Sequence, residues 1–350
     1  MKKPVQILLA GDVNLMGVTP KSAPFAQVEQ EFRAADLTFA NLECCLYEGP
    51  PPASGDGYFA PPQVAGEVLK RSGIGAVGLA NNVNYGRAAV IASLARLAEL
   101  GIPCTGAGRT IGEARAPLIV ERGGSRIGIV QRTAVYWAED HVATQDAAGV
   151  ATIAAYTAYR NPVPSQRRPG LPPANRPGLP PVIDTWADPH ALQLLAHELR
   201  ALRKEADVVI ASFHWGLFEE VLGYMQAYAH AAIDAGADIV VGHGPHDHIL
   251  PVEVRDGRPI FYNLGALSFR HGPNGKTFHD WIGLLVRFAH DGSSLSASFG
   301  FVRQSEDLTI SRVALAKESS ALETIRTASE ALGTRLEVAG DEVKVVAGRA

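Results

Sequence analysis

Short apolar runs rich in Val and Ile recur along the chain, at Val5–Leu9, Leu37–Ala40, Gly75–Ala80, Arg126–Gln131, Asp207–Ser212, Asp238–Val241, Pro259–Leu264 and Ile282–Phe288. Runs this short and this continuous predict strands buried on both faces. Helical patterns lie between them. Ala88–Leu100 sets Val90, Leu94, Leu97 and Leu100 on one face, and Pro189–Lys204 opens with Asp188 as N-cap and Pro189 in its first turn. Strand and helix patterns in alternation predict a layered α/β fold.

One stretch breaks the alternation. Asn161–Pro181 carries Arg-Pro-Gly-Leu-Pro-Pro twice, from Arg168 and from Arg176, and its prolines exclude both helix and central strand. It reads as a surface loop inserted at 161–183, with a lid or docking segment as the functional alternative. Past Arg303 the chain turns more polar, with a helical pattern over Glu318–Leu332 and a hairpin over Arg335–Val346 turning at Gly340-Asp341. The expected division is a main domain over 1–303, with 304–350 as a helix-and-hairpin appendage to it.

Composition narrows the function classes. The 350 residues are 47% hydrophobic and 19% charged, which argues for a globular chain and against disorder or coiled coil. A net charge of -4 and a pI near 6.3 give no basic footprint, so no nucleic-acid partner is expected. Cys44, Cys45 and Cys104 are too few and too irregular for a disulfide framework or a thiolate zinc site. The charged start Met1-Lys2-Lys3 imitates a signal peptide, but its apolar run is broken at Gly11-Asp12 and reads as a first strand. No stretch nears the roughly 18 to 20 apolar residues of a membrane span, and the expected location is the cytoplasm.

The chemistry-bearing residues sit where strands end. Leu8-Leu9-Ala10-Gly11-Asp12 places a carboxylate past the first strand, Asn41-Leu42-Glu43 repeats the arrangement, and Asn81-Asn82 follows a third strand. Ligands of open α/β sheets bind at such strand ends. The second half supplies nitrogen in the same way, with His214 after Val208–Phe213, and His243-Gly-Pro-His246-Asp-His248 after Ile239–Gly242. Each element alone has a plain reading: Gly-Asp or Asn-Asn as a turn, a single histidine as core or surface. Three histidines within six residues would crowd positive charge unless a metal held them neutral. Oxygen and imidazole without thiolate suit Mn, Zn, Fe, Co or Ni in a catalytic centre, and the inventory suffices for two divalent transition-metal ions.

With these motifs in place, the chain resembles the capsule-synthesis (poly-γ-glutamate synthesis, CapA-type) family of the calcineurin-like metallophosphoesterase superfamily. The resemblance runs from Val5 to about His290 through Gly11-Asp12, Asn41-Leu42-Glu43, Ala80-Asn81-Asn82, His214-Trp215-Gly216, Ala235-Gly236-Ala237-Asp238, Gly242-His243, Pro245-His246 and Tyr262-Asn263-Leu264-Gly265. It implies a four-layer α/β/β/α sandwich, two mixed β-sheets flanked by helices, with a binuclear metal centre. Within it Glu43 resembles the bridging carboxylate, Asp12 and Asn82 further ligands, and His214, His243 and His246 the nitrogen ligands. The chain departs from the family at three places: Val83 stands where a histidine usually follows the Asn pair, Gly244 where a second histidine is common, and Asn263 where serine is common. The first departure removes the acid that serves a phosphoester's leaving oxygen.

The expected function is metal-dependent hydrolysis of a phosphoester or an amide bond by an activated water. Asp247, His248, His271 and His279 are the candidates for the proton transfer that Val83 cannot perform. Arg87 and Arg132 are candidate receivers of an anionic substrate group. The substrate is expected to be a small molecule, a peptide or a poly-γ-glutamate-like anionic chain. Two alternatives stay open: a metal-dependent peptide epimerase, and a non-catalytic binding or assembly protein for an anionic polymer.

Overall fold

The computed structural model describes residues 4–50, 57–160, 180–216, 219–279, 281–292 and 294–348. Most of the Pro-rich repeat, at 161–179, lies outside them. Two large sheets dominate. The ten-stranded sheet runs from the hairpin Thr334–Ala339/Glu342–Ala347 at one edge, through Leu295–Gln304, Ile282–His290, Val5–Val13, Leu37–Leu42 and Ala76–Gly78, to Cys104–Thr105 at the other. The six-stranded sheet runs Val252–Arg255, Arg258–Phe261, Ile239–His243, Val208–His214, Ser125–Thr133, Leu118–Arg122. Both are mixed. Val5–Val13, Leu37–Leu42 and Ala76–Gly78 are parallel neighbours, as are Ser125–Thr133, Val208–His214 and Ile239–His243, and each set meets an antiparallel strand on one side and a further parallel strand on the other.

Side-chain parity sorts these strands into layers. Ile7, Leu9, Leu37, Phe39 and Ala76 of the larger sheet meet Ile127, Ile129, Val208, Ile210, Ile239 and Val241 of the smaller one in a shared core. The opposite face of the larger sheet, with Leu8, Ala10, Ala40 and Val77, packs against Phe32, Leu69, Val90 and Leu97 of the helices Glu29–Ala34, Pro62–Ser72 and Arg87–Leu100. The opposite face of the smaller sheet, with Val130, Val209, Ala211 and Val240, packs against Leu195, Leu199, Tyr228 and Ile233 of Pro189–Arg203 and Gly223–Asp234. The result is the four-layer α/β/β/α sandwich. Each fully buried aliphatic or aromatic side chain in these layers contributes about 1.5–3 kcal/mol.

The strands expected from Val/Ile runs are present, several with longer ends, because the polar residues that follow each run stay in register. Asp188 caps the helix Pro189–Arg203 by accepting from Ala191 N at 2.7 Å. The strand Leu295–Gln304 was not expected. Its Ser-rich start and Gly300 imitate a loop, yet Ala297, Phe299 and Phe301 alternate into the shared core. Val182 and Ile183, placed within the expected insertion at 161–183, belong instead to a strand, Val182–Ala187, paired with Ala155–Arg160. The C-terminal hairpin joins the large sheet through Ser298↔Lys344 and Phe299↔Val343. The helix Ser319–Ala331 buries Leu322 and Ile325 against the shared core.

Candidate metal centre

The stripes that build the shared core end in polar residues. Phe39 is followed on the same face by Asn41 and Glu43; Ile129 by Gln131; Ile210 by Ser212 and His214; Val241 by His243. By simple alternation Asp12 would lie with Leu8 and Ala10 on the opposite face. The pairing of Val5–Val13 with Leu37–Leu42 slips between Ala10 and Asp12, and a one-residue slip moves a side chain to the other face. Gly11 sits at the slip, where a Cβ would lie 2.0 Å from the Gly265 carbonyl oxygen, so only glycine lets the backbone pass. Asp12 thereby joins Glu43 between the sheets, fully buried.

Two carboxylates and three imidazoles converge there. His243 Nδ1 lies 3.0 Å from Asp12 Oδ1, and His246 Nδ1 lies 3.2 Å from Asp12 Oδ2. His246 Nε2 lies 3.4 Å from Glu43 Oε2, and His214 Nε2 lies 3.1 Å from Glu43 Oε1. One ligand atom each of Asp12, Glu43 and His246 fall within 4.8 Å of one another. Yet Glu43 Oε2, His246 Nδ1 and both ring nitrogens of His243 are buried without a hydrogen-bond partner. Such atoms are costly to leave unpaired, and carboxylate oxygen with imidazole nitrogen is a donor set that divalent transition metals accept. The residues present fit a metal centre.

Surrounding groups fix their orientation. The Thr133 hydroxyl donates to the Val135 carbonyl at 2.8 Å, so at 3.0 Å it accepts from His214 Nδ1 and leaves the Nε2 lone pair facing Glu43. His246 stacks on Trp281 at 4.5 Å and 14° and packs beside Phe269. Burial would push Asp12 up, but the close approach and charge of His243 and His246 outweigh it and hold Asp12 well below the usual carboxylate range. Glu43 is raised, first by burial and then by the Asp12 charge. Burial pushes His214 down to about 4.

The remaining expected residues separate. Asn82 is half-buried at the end of its strand, where its backbone carbonyl accepts from the Trp137 indole at 2.9 Å. Val83 is buried beside it. His248 lies between Asp247, 2.8 Å from Nδ1, and Glu219, 2.9 Å from Nε2, with all three partly or largely exposed. His271 bridges to Thr277 in a short backbone pairing, and burial, followed by Arg270, lowers its pKa. His279 is exposed and meets the Thr277 hydroxyl. Both arginines have carboxylate partners: Arg132 has the parity of Val130, faces the outer helices and pairs with Glu198 at 2.8 Å, while Arg87 pairs on the surface with Asp140 at 3.1 Å. Gly244 has φ +128, and a Cβ there would meet the Trp215 carbonyl oxygen at 2.5 Å, so no histidine fits where the family commonly has one.

Two participants gave little sequence signal. His141 donates through Nε2 to the Asn81 carbonyl and accepts at Nδ1 from Trp137 N, both at 2.9 Å; burial lowers its pKa to about 4, keeping it neutral. Its surroundings, Trp-Ala-Glu-Asp-His-Val, read as a plain loop. Asn41, quoted as part of a motif, is the hub of a buried amide network, and Gln131 belongs to that network from inside an apolar run.

A layered α/β protein with two mixed sheets between helices has the architecture that the resemblance to calcineurin-like metallophosphoesterases implies. The chain belongs to the bacterial capsule synthesis protein PGA_cap family, whose model matches residues 6–270. It is 32% identical over 194 residues to a probable polyglutamine synthesis accessory protein of Mycobacterium tuberculosis, covering 53% of this chain and 43% of that protein. It is 39% identical over 89 residues to the PGA biosynthesis protein CapA of Bacillus subtilis, covering 25% and 22% of the two chains. The chain thus spans less than half the length of these relatives. Among solved structures, a phosphatase from Mycoplasma pneumoniae is similar with a TM-score of 0.49 at 12% identity, over 86% of this chain and 95% of that one. No helix among the described residues is long and apolar enough to cross a membrane.

Proposed function

We propose that the chain is a metal-dependent hydrolase whose centre is held by the clustered Asp12, Glu43, His214, His243 and His246, with Asn82, whose own contact is to Trp137, as the further ligand that the family resemblance implies. The observation that carries this reading is the close cluster of Asp12, Glu43 and His246 beside His214 and His243, in which Glu43 Oε2, His243 Nδ1 and Nε2 and His246 Nδ1 are buried without a hydrogen-bond partner. Bound divalent ions would supply Lewis acidity and the means to ionise water near neutral pH. The protein's share is to hold the donors. Thr133 sets the His214 tautomer, Trp281 and Phe269 clamp the His246 ring, and the helices and apolar core beneath keep bulk water from the carboxylates.

Proton transfer falls to His248. It stands two residues from His246, half exposed, with a carboxylate at each ring nitrogen, so a proton leaving the site has a route to solvent through Asp247 or Glu219. With Arg132 turned to the outer helices and Arg87 tied to Asp140, an anionic substrate would be received by the metal centre. A phosphoester, or an amide in a peptide or poly-γ-glutamate-like chain, has the oxygen such a centre polarises. The test is reconstitution with Mn²⁺ or Zn²⁺ followed by turnover of bis-p-nitrophenyl phosphate and of γ-glutamyl peptides. Cleavage that incorporates solvent oxygen and vanishes in Glu43→Ala supports the reading, and a metal-loaded protein that cleaves neither substrate counts against it.

Val83 favours a second reading. An aliphatic side chain cannot protonate a leaving group, whereas epimerisation has no leaving group to protonate. Solvent deuterium entering a peptide α-carbon without cleavage would move the assignment from hydrolase to epimerase.

A further inference from the structure

Between the two sheets, directly under the carboxylates, lies a chain of buried amides. Asn41 Nδ2 donates to Asp12 Oδ1 and to Glu43 Oε1, both at 2.8 Å. Asn41 Oδ1 accepts from Asn81 Nδ2 and from Gln131 Nε2, both at 3.0 Å. Gln131 Oε1 accepts from the Ala80 backbone N–H at 2.7 Å. Asn41, Asn81 and Gln131 are all 0% exposed.

The direction of this chain follows from its anchor. An amide side chain can point either way, and its orientation is read from its partners. The Ala80 N–H can only donate, so the Gln131 oxygen must face it and the Gln131 NH₂ must face Asn41. The Asn41 oxygen must then turn toward Gln131 and Asn81, which leaves its NH₂ toward the carboxylates. The reverse orientation would set a carbonyl oxygen against two acidic side chains. Asn41 also occupies one oxygen of each carboxylate and leaves Glu43 Oε2 unpartnered in the direction of the histidines. The residue across the layer allows this. Gly78 faces Gln131, and a Cβ there would lie 2.3 Å from Gln131 Cδ and 2.4 Å from Nε2.

We propose that Gln131, reaching from the six-stranded sheet through Asn41 of the ten-stranded sheet, is a positioning residue that sets the orientation of both carboxylates for metal binding. Val83 N and Asn84 N both donate to Asn81 Oδ1, so the same network also anchors the turn that carries Asn82. The inference rests on the metal-centre reading and adds to it a residue that touches no ligand.

The test uses the full chain stripped of metal and titrated with Mn²⁺ by calorimetry, with the melting temperature of the metal-free protein recorded in parallel. Gln131→Met keeps the side-chain length and removes the amide; Gly78→Ala keeps the amide and displaces it. Each is expected to weaken Mn²⁺ binding at least about tenfold, the usual cost of losing a group that orients metal ligands. Arg132→Met, on the opposite face of the same strand, is expected to lower the melting temperature with affinity kept within about twofold. Unchanged affinity in both Gln131→Met and Gly78→Ala, with or without lower melting temperatures, overturns the proposal and leaves Gln131 as a tie between sheets. If Gln131→Met fails to fold, Gly78→Ala alone decides by the same criterion. A wild-type chain that binds no Mn²⁺ is a different result: it removes the metal-centre reading, and the proposal with it.

Discussion

The strand Ser125–Thr133 carries two buried polar clusters on its two faces, one residue apart. On the outer face, Arg132 donates to the Gln131 and Arg115 carbonyls and to Glu198, and Glu198 in turn receives Arg115 at 2.7 and 2.9 Å. Burial alone would raise Glu198, but the charge of Arg132 and the bonds from both arginines hold it below its ordinary value. On the inner face, Gln131 leads through Asn41 to two carboxylates and three imidazoles, four of whose buried atoms have no hydrogen-bond partner. The outer cluster nearly closes on itself, with Arg132 Nε the one unpartnered atom of its three side chains among the described residues, and it joins strand, loop and helix. The inner cluster keeps those four atoms unmatched. Buried charge is therefore a poor guide to function until its partners are counted.

Substitutions on the two faces should separate these roles. The largest expected effect is that of Glu43→Ala, which should abolish metal binding at one or both positions by elemental analysis while the folded fraction by circular dichroism stays high; undiminished metal content would sink the ligand assignment. Glu198→Ala should do the converse. It strands the fully buried Arg132, should cost about 3–5 kcal/mol in denaturant unfolding, and should leave metal stoichiometry unchanged; a loss of metal would mean that the two faces are coupled. Val83→His supplies an imidazole where the family commonly has histidine and should raise phosphodiester turnover in a metal-loaded sample, and no gain would favour chemistry without a leaving group. Smallest is the effect of His271→Gln and His279→Gln together. Both residues make their contacts away from the cluster, and metal content and affinity should stay at wild-type levels.

The acids and imidazoles of the inner cluster were legible in the sequence because each follows a short apolar run, and such runs mark strand ends without knowledge of the topology. Asp12, Glu43, His214 and His243 all follow this rule. Arg132 and Gln131 were not separable by it, since both lie at the end of one apolar run and the face each takes depends on which sheet packs where. Gln131 looked like a strand's last polar residue, and Arg132 like a cation available to an anionic substrate. The Gly11 slip was equally hidden: it reverses the parity of Asp12, and its cause is close contact with Gly265, 254 residues away in the chain. His141 lies in a loop whose composition carries no pattern, so its place beside Asn81 follows from tertiary packing alone. The strand Leu295–Gln304 escaped because serine and glycine outweigh its alternating aromatics in any local reading.

The most direct test of the open inner cluster is metal content by elemental analysis of the purified chain after reconstitution with Mn²⁺ or Zn²⁺. The account predicts about two equivalents of divalent metal per chain, reduced in Glu43→Ala and unchanged in Glu198→Ala. A folded wild-type chain that retains no metal after reconstitution would contradict it.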